Sequence, residues 1–142
     1  MEKEDREVAI ELFEGATIID GSPAMLFKLA SLKFEAGEAE PAVELFQKAI
    51  EEFPNFRDAH RNLGIVLIQL ENHEDAQKHL IRAVELGSSD GLTLGMLGYC
   101  HSIDKNFQSS LQCYRLAQIS MPQELQWKMG EASALQQTKQ TV

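Results

Sequence analysis

Shifted along itself by thirty-four residues, this chain matches itself. Ala49 falls on Ala83 and Ala117, Leu29 on Leu63 and Leu97, Ala42 on Ala76 and Ser110, and Phe46 on Leu80 and Tyr114. Pro54 and Pro122 close the first and third copies, and Ser88 stands in the corresponding place in the second. A period of this length is that of one helix–turn–helix unit, which buries its apolar face by stacking on its neighbours. The predicted fold class is therefore all-α, an array of such units.

The phase divides the chain into 23–56, 57–90 and 91–124, with 1–22 before them and 125–142 after. The first unit predicts a helix over about 24–36, presenting Leu26, Leu29, Ala30 and Leu32, and a second over about 39–52, with Ala42, Leu45, Phe46, Ala49 and Ile50 at helical spacing. Gly37 ends the first helix as a left-handed cap, and Pro54-Asn55 stops the second. The second unit predicts helices over about 57–70 and 73–86, with Glu71 in place of the turn glycine and Asn72 in the left-handed role. The third predicts helices over about 91–104 and 107–120, with Asp90 as a cap and Lys105-Asn106 in the turn.

Ahead of these, residues 4–19 predict an amphipathic helix whose apolar face carries Val8, Leu12 and Ile19 with Ala9, Phe13 and Ala16. Its Ala9-Ile-Glu-Leu-Phe-Glu-Gly-Ala16 echoes Ala42-Val-Glu-Leu-Phe-Gln-Lys-Ala49, so it reads as the second helix of an incomplete unit. The joint at Asp20-Gly21-Ser22 is one residue short, and Ser22 predicts an N-cap with Pro23 at the first helical position. Residues 123–137 predict a closing helix carrying Leu125, Trp127, Met129, Ala132 and Leu135, and the polar stretch 136–142 predicts a frayed tail.

A length of 142 residues with 44% hydrophobic content is ordinary for one soluble domain with a real core. The net charge of −9 argues against binding nucleic acid or an anionic membrane surface, both of which need a basic face. The acid is concentrated at one end: residues 1–22 carry two basic and seven acidic side chains, and 125–142 carry two basic and one acidic. Two cysteines, Cys100 and Cys113, form no disulfide framework and read as small buried hydrophobes in a reducing, cytoplasmic setting. The chain start lacks the basic-then-apolar pattern of a secretory signal, and no apolar run approaches a membrane span.

Leu26-x2-Leu29-Ala30, Ala42-x3-Phe46, Ala49 and Pro54 resemble a tetratricopeptide repeat. So do Leu63-Gly64, Ala76-x3-Leu80 and Ala83, and then Leu97-Gly98, Tyr114, Ala117 and Pro122. The departures are Leu26, His60 and Leu94 where an aromatic is expected, Ala30 for glycine, Ser110 for alanine and Ser88 for proline. The resemblance implies a right-handed superhelix whose inner groove, lined by the first helix of each repeat, grips an extended peptide or a helix. The inward positions are then Phe27, Ser31, Phe34 and Glu35 from the first repeat, Arg61, Asn62, Ile65, Ile68 and Gln69 from the second, and Leu92, Met96, Tyr99, Ser102 and Ile103 from the third, and all but Glu35, Gln69 and Ser102 are expected to line the peptide-binding groove. Family members that bind the acidic C-termini of chaperones use a basic and amide clamp. Only Asn62 matches it; Phe27, Ser31, Leu92 and Met96 stand where lysine, asparagine, lysine and arginine are needed.

Catalytic chemistry finds little support. Cys100 and His101 are adjacent, so on a helix their side chains point about 100° apart, unlike a nucleophile and its base. His60 predicts a packed residue, His73 a turn cap, and His79 a place on the outer face of its helix. No His/Cys/carboxylate cluster has zinc spacing and no glycine-rich phosphate loop is present. The expectation is a non-catalytic adaptor, scaffold or chaperone, with no cofactor and no metal, taking an apolar peptide or amphipathic helix into its groove. Two alternatives stay open: self-association through the same apolar surface as a homo-oligomer, and a regulatory segment of a larger enzyme.

Overall fold

The computed structural model describes residues 2–140, with eight helices and no strand among them. They are α1 (Lys3–Ile19), α2 (Pro23–Glu35), α3 (Ala39–Glu52), α4 (Arg57–Gln69), α5 (His73–Glu85), α6 (Gly91–Ile103), α7 (Phe107–Ser120) and α8 (Leu125–Gln140). Each packs on the next along the chain; the remaining contacts join α2 to α4, α4 to α6 and α6 to α8. The result is an all-α helical repeat array, in which α2/α3, α4/α5 and α6/α7 are the closest antiparallel pairs.

The pairs are close because small residues recur where they cross. A Cβ on Gly64 would come within 2.6 Å of Leu80 Cγ, and one on Gly98 within 3.2 Å of Cys113 Cβ. Ala42, Phe46 and Ala49 on α3, and Ala76, Leu80 and Ala83 on α5, are wholly buried. Ser110, at the same place on α7, is equally buried, and its hydroxyl donates to the Gly98 carbonyl at 2.9 Å. That bond satisfies the one polar group the alanine-to-serine departure brings into the core.

Helix ends follow local chemistry. Ser22 Oγ accepts from the Met25 amide at 3.4 Å, with Pro23 opening α2. Asp90 accepts from the Thr93 amide at 3.0 Å and from its hydroxyl at 2.7 Å. The tight turn inside each pair places one residue at positive φ, and these too recur every thirty-four residues: Gly37 (φ 85), Glu71 (φ 60) and Lys105 (φ 60). Glu71, not Asn72, is therefore the left-handed residue. Asn72 is occupied as the N-cap of α5, its Oδ1 accepting from the Asp75 amide at 3.3 Å, and Asn106 does the same for Ser109 at 3.4 Å.

The ends of the array differ from expectation. On α1, Ile10 is the buried residue, while Val8, Leu12 and Ile19 are 55%, 69% and 89% exposed. α1 has a neighbour on one side only, α2, so the rest of its apolar surface meets solvent. On α8, Trp127 and Ala134 are buried, whereas Leu125 and Met129 are each 64% exposed. Trp127 lies over the bare backbone of Gly95, where a Cβ would sit 2.5 Å from the indole, and its ring stacks at 6.2 Å from Tyr114. Helix α8 runs unbroken to Gln140, past the expected start of fraying at 136; Thr141 and Val142 of that predicted tail lie outside the described residues.

Candidate functional site

The first helices of the first two pairs, α2 and α4, contribute to a series of depressions that share lining residues. One of about 470 Å³ is lined by Phe27, Arg61 and Asn62, with Arg57, Asp58 and the turn Gly87–Asp90. A second of about 420 Å³, sharing Asn62, is lined by Ser31, Phe34, Glu35, Phe46 and Ile65. A third of about 250 Å³ shares Phe27 and Ser31 and adds Phe13, Lys28 and Leu32. No residue of α8 lines any of the three, so the terminal helix leaves this surface open.

Of the expected groove residues, Phe27, Ser31, Phe34, Arg61, Asn62 and Ile65 come together here. The others do not. Ile68 packs half-buried against the central core. Leu92 and Met96 pack on the cluster of Leu94, Tyr114, Ala117 and Trp127. Tyr99 stands edge-on to His73, ring centres 5.5 Å apart. Ile103 faces a separate hollow of about 380 Å³ between α5 and α6, with His73, Glu74, Gln77, Cys100 and Asp104. Phe13, Arg57 and the 87–90 turn were not among the expected positions. Their nearness depends on how α1 and the inter-pair turn fold back, which periodicity along one helix does not encode.

The two larger depressions differ in chemistry. Around Phe34 and Ile65 the wall is apolar. Phe27, on the wall of the first and third depressions, is braced by Phe46 at 5.8 Å and Phe56 at 5.1 Å between ring centres, and the Ser31 hydroxyl donates to the Phe27 carbonyl at 2.9 Å. Around Arg61 the wall is polar. Its Nε lies 3.3 Å from both Asp90 oxygens, Nη2 is 3.1 Å from Oδ2, and Nη1 donates to Asn62 Oδ1 at 3.0 Å. Partial burial works to raise the Asp90 pKa, but the hydrogen bonds from Arg61 and Thr93 outweigh it and hold the carboxyl below its ordinary value. Arg61 is thus largely committed within the protein, and Asn62 Nδ2 is the amide donor left facing the hollow.

The histidines do not form a site. His60 is buried, and its Nε2 meets the Pro54 carbonyl at 2.8 Å; a carbonyl only accepts, so Nε2 carries the proton. His60 Nδ1 then accepts from His79 Nδ1 at 3.1 Å. His79 is consequently turned in against α4, not outward as expected. Burial lowers its pKa, with the neighbouring His60 adding to the effect. Burial also raises both thiols, Cys100 to about 11, which keeps them protonated and unreactive. Among the described residues no three His, Cys, Asp or Glu side chains converge as metal ligands. None of their helices is long and apolar enough to cross a membrane.

The sequence model of the tetratricopeptide repeat family matches residues 33–90. The tetratricopeptide repeat-containing protein trd-1 of Caenorhabditis elegans is 41% identical over 80 residues, covering 55% of this chain and 10% of that protein. This chain therefore spans about a tenth of that relative's length. Among solved structures, MamA superposes with a TM-score of 0.86 at 18% identity, over 96% of this chain and 75% of that one. MamA from Desulfovibrio magneticus RS-1 gives 0.79 at 18% identity, over 95% and 82%. The first TPR of Spaghetti (RPAP3), bound to the HSP90 peptide SRMEEVD, gives 0.73 at 15% identity, over 82% and 92%. These likenesses establish the fold, and with the thirty-four-residue recurrence the family match shows tetratricopeptide repeat sequence over residues 33–90.

Proposed function

We propose that the chain is a non-catalytic protein-interaction module that takes an apolar peptide or one face of an amphipathic helix into the open surface formed by α2 and α4. Residues 23–56, 57–90 and 91–124 act as its three repeats, 1–22 as a half repeat and 125–142 as the closing element. The observation carrying this reading is the uncovered hollow bounded by Phe34, Phe46 and Ile65, with the Asn62 amide at its rim. Completing the burial of an aliphatic or aromatic side chain is worth up to about 1.5–3 kcal/mol; Phe34 and Ile65 are already half-covered and Phe46 is wholly buried, so several anchors are needed to offset an association cost on the order of 4–15 kcal/mol. Asn62 supplies a directional bond to a partner's backbone carbonyl.

RPAP3 is seen with an acidic peptide, but two features here oppose that ligand. Phe27, Ser31, Leu92 and Met96 supply no cation at the clamp positions, and Arg61 already meets Asp90. The free thiols support a reducing, cytoplasmic setting. The test is peptide selection from a random display library, followed by titration calorimetry of the winners and of SRMEEVD. Apolar or amphipathic winners should lose at least about tenfold in affinity on Ile65→Asp, with an unchanged thermal melt, since one buried anchor is worth that much. Preference for SRMEEVD, or winners indifferent to Ile65→Asp, would refute the proposal.

A further inference from the structure

We propose that the occupant of this groove is an amphipathic helix carrying an acidic and a basic side chain two turns apart, placed to meet Lys28 and Glu35; the inference rests on the peptide-binding reading above and names the chemistry of its ligand. Most charges around the hollows are already answered within the protein. Arg57 Nε lies 3.2 Å from Asp58 Oδ1 and Arg61 Nη2 lies 3.1 Å from Asp90 Oδ2, so the four charged residues of the first depression neutralise one another. Close by, Lys33 meets Glu14 at 2.8 Å and Glu38 at 3.5 Å.

Two charges remain. Among the described residues, Glu35 is the one charged side chain lining the second depression and Lys28 the one lining the third, and neither forms an ion pair. Both are exposed. Lys28 Nζ stands 5.9 Å from the centre of the Phe13 ring, a contact that steadies the ammonium without neutralising it. The 2.8 Å bond from Arg6 Nη1 to Glu35 ends on the main-chain carbonyl, not on the carboxylate. The groove therefore offers a ligand one cation and one anion.

Spacing selects the form of that ligand. Lys28, Ser31 and Glu35 stand at i, i+3 and i+7 on α2, a single stripe, and Ser31 lines both hollows. Seven residues rise about 10.5 Å along a helix. Beside this stripe runs an apolar one, Phe27 and Phe34, and Ile65 of α4 shares the second hollow with Phe34. A helix laid along α2 reproduces the same rise: two charges seven residues apart share a face, with room for apolar anchors at the positions between them. An extended segment returns its side chains to one face every two residues, at about 6.6 or 13 Å, and misses the spacing by roughly 3–4 Å. The acid belongs over the middle of α2 and the base over its last turn, so the order of the two charges in the partner sets which way it runs.

The test uses helical peptides that share one stripe of leucines and differ in two flanking positions seven residues apart: acid and base, two acids, or two bases. A fourth peptide places the acid and base five residues apart, on different faces. Each is titrated calorimetrically into wild type, Lys28→Glu, Glu35→Lys and Ile65→Asp; the two reversals lie at exposed positions and should leave the thermal melt unchanged. Wild type should prefer the seven-residue acid–base peptide over each of the others by at least about twofold, since one exposed charge pair is worth about 1.4–5-fold. Lys28→Glu should transfer the preference to the two-base peptide, and Glu35→Lys to the two-acid peptide. In about 1 M salt, where the screening length is about 3 Å, the preferences should vanish while apolar binding persists. Peptides that bind alike whatever their charges, or preferences that the reversals do not move, would overturn this inference; if binding is still lost on Ile65→Asp, the peptide-binding reading stands. Binding indifferent to Ile65→Asp would strike at that reading itself, and a wild type that binds none of the peptides would overturn both.

Discussion

Substituting alanine for glycine should have opposite effects at two helical positions of this protein. At Gly64 the new Cβ would lie 2.6 Å from Leu80 Cγ, 2.8 Å from Leu80 Cδ2 and 3.3 Å from the Ala76 carbonyl oxygen. Carbon atoms rest at about 3.5–4.0 Å, so α4 and α5 must part or Leu80 must leave its rotamer. Leu80 is wholly buried and its Cγ is a branch point, so neither adjustment is cheap. Overpacking costs about 1–3 kcal/mol, here the upper part of that range, about 2–3, because a buried branch point must move, and alanine's better helix propensity returns about 1. The net expectation is a loss of about 1–2 kcal/mol, or a thermal midpoint lower by roughly 3–6 °C. At Gly15, within α1, a Cβ meets nothing within 4 Å. Only the propensity gain remains, and α1 should be steadier by about 0.5–1 kcal/mol. Urea unfolding followed by circular dichroism reads the first effect, and amide hydrogen exchange in α1 reads the second. A Gly64→Ala protein as stable as wild type would mean that α5 is not pressed onto α4, and the packing account of the repeat would fail.

Three further outcomes are expected. The pKa values of His79 and His101 lie below the ordinary histidine value of 6.5, in both cases chiefly through burial, so the unfolded chain takes up these protons first. Stability is therefore full above about pH 6.5 and declines as pH falls toward the folded-state values; His79→Leu should flatten that decline in thermal melts. Asp90→Ala removes both the α6 cap and the partner of Arg61 and should cost about 1 kcal/mol or more in urea unfolding, while Asp90→Asn keeps the cap and should lose less. Cys100 and Cys113 should resist a thiol reagent at neutral pH in the folded protein and react once urea unfolds it.

Much of this architecture was legible before any coordinates, because a repeat writes its packing rules several times. Ala83, Leu63 and Phe46 are buried for the same reason as their counterparts, and the helix pairs, the Ser22 and Asp90 caps and the Gly37 turn follow from residue type. What the phase did not carry was anything that depends on the array ending. Val8, Leu12, Leu125 and Met129 satisfy helical spacing as core residues do, yet each lies where no neighbour arrives. The positive φ at Glu71 was displaced by one residue in the sequence reading, since Asn72 tolerates that conformation but is taken as a cap. The His60–His79 contact joins residues nineteen apart on two helices, which neither helix alone reveals. At the site, Phe27, Phe34, Asn62 and Ile65 were within reach because they sit in phase on α2 and α4. Leu92 and Met96 instead pack on the cluster of Leu94, Tyr114, Ala117 and Trp127, and Ile103 lines the hollow between α5 and α6.

Helices here touch only their successors and the matching helix of the next pair. No contact ties the first helix to the last, so nothing in the packing sets the number of units. Duplicating residues 57–90 in place would present each new helix with the same kinds of neighbours that α4 and α5 already have. The chain's length is in that sense an adjustable quantity: whole units can be gained or lost by recombination at the turns, and the binding surface lengthened or shortened in fixed steps, without redesigning any interior contact.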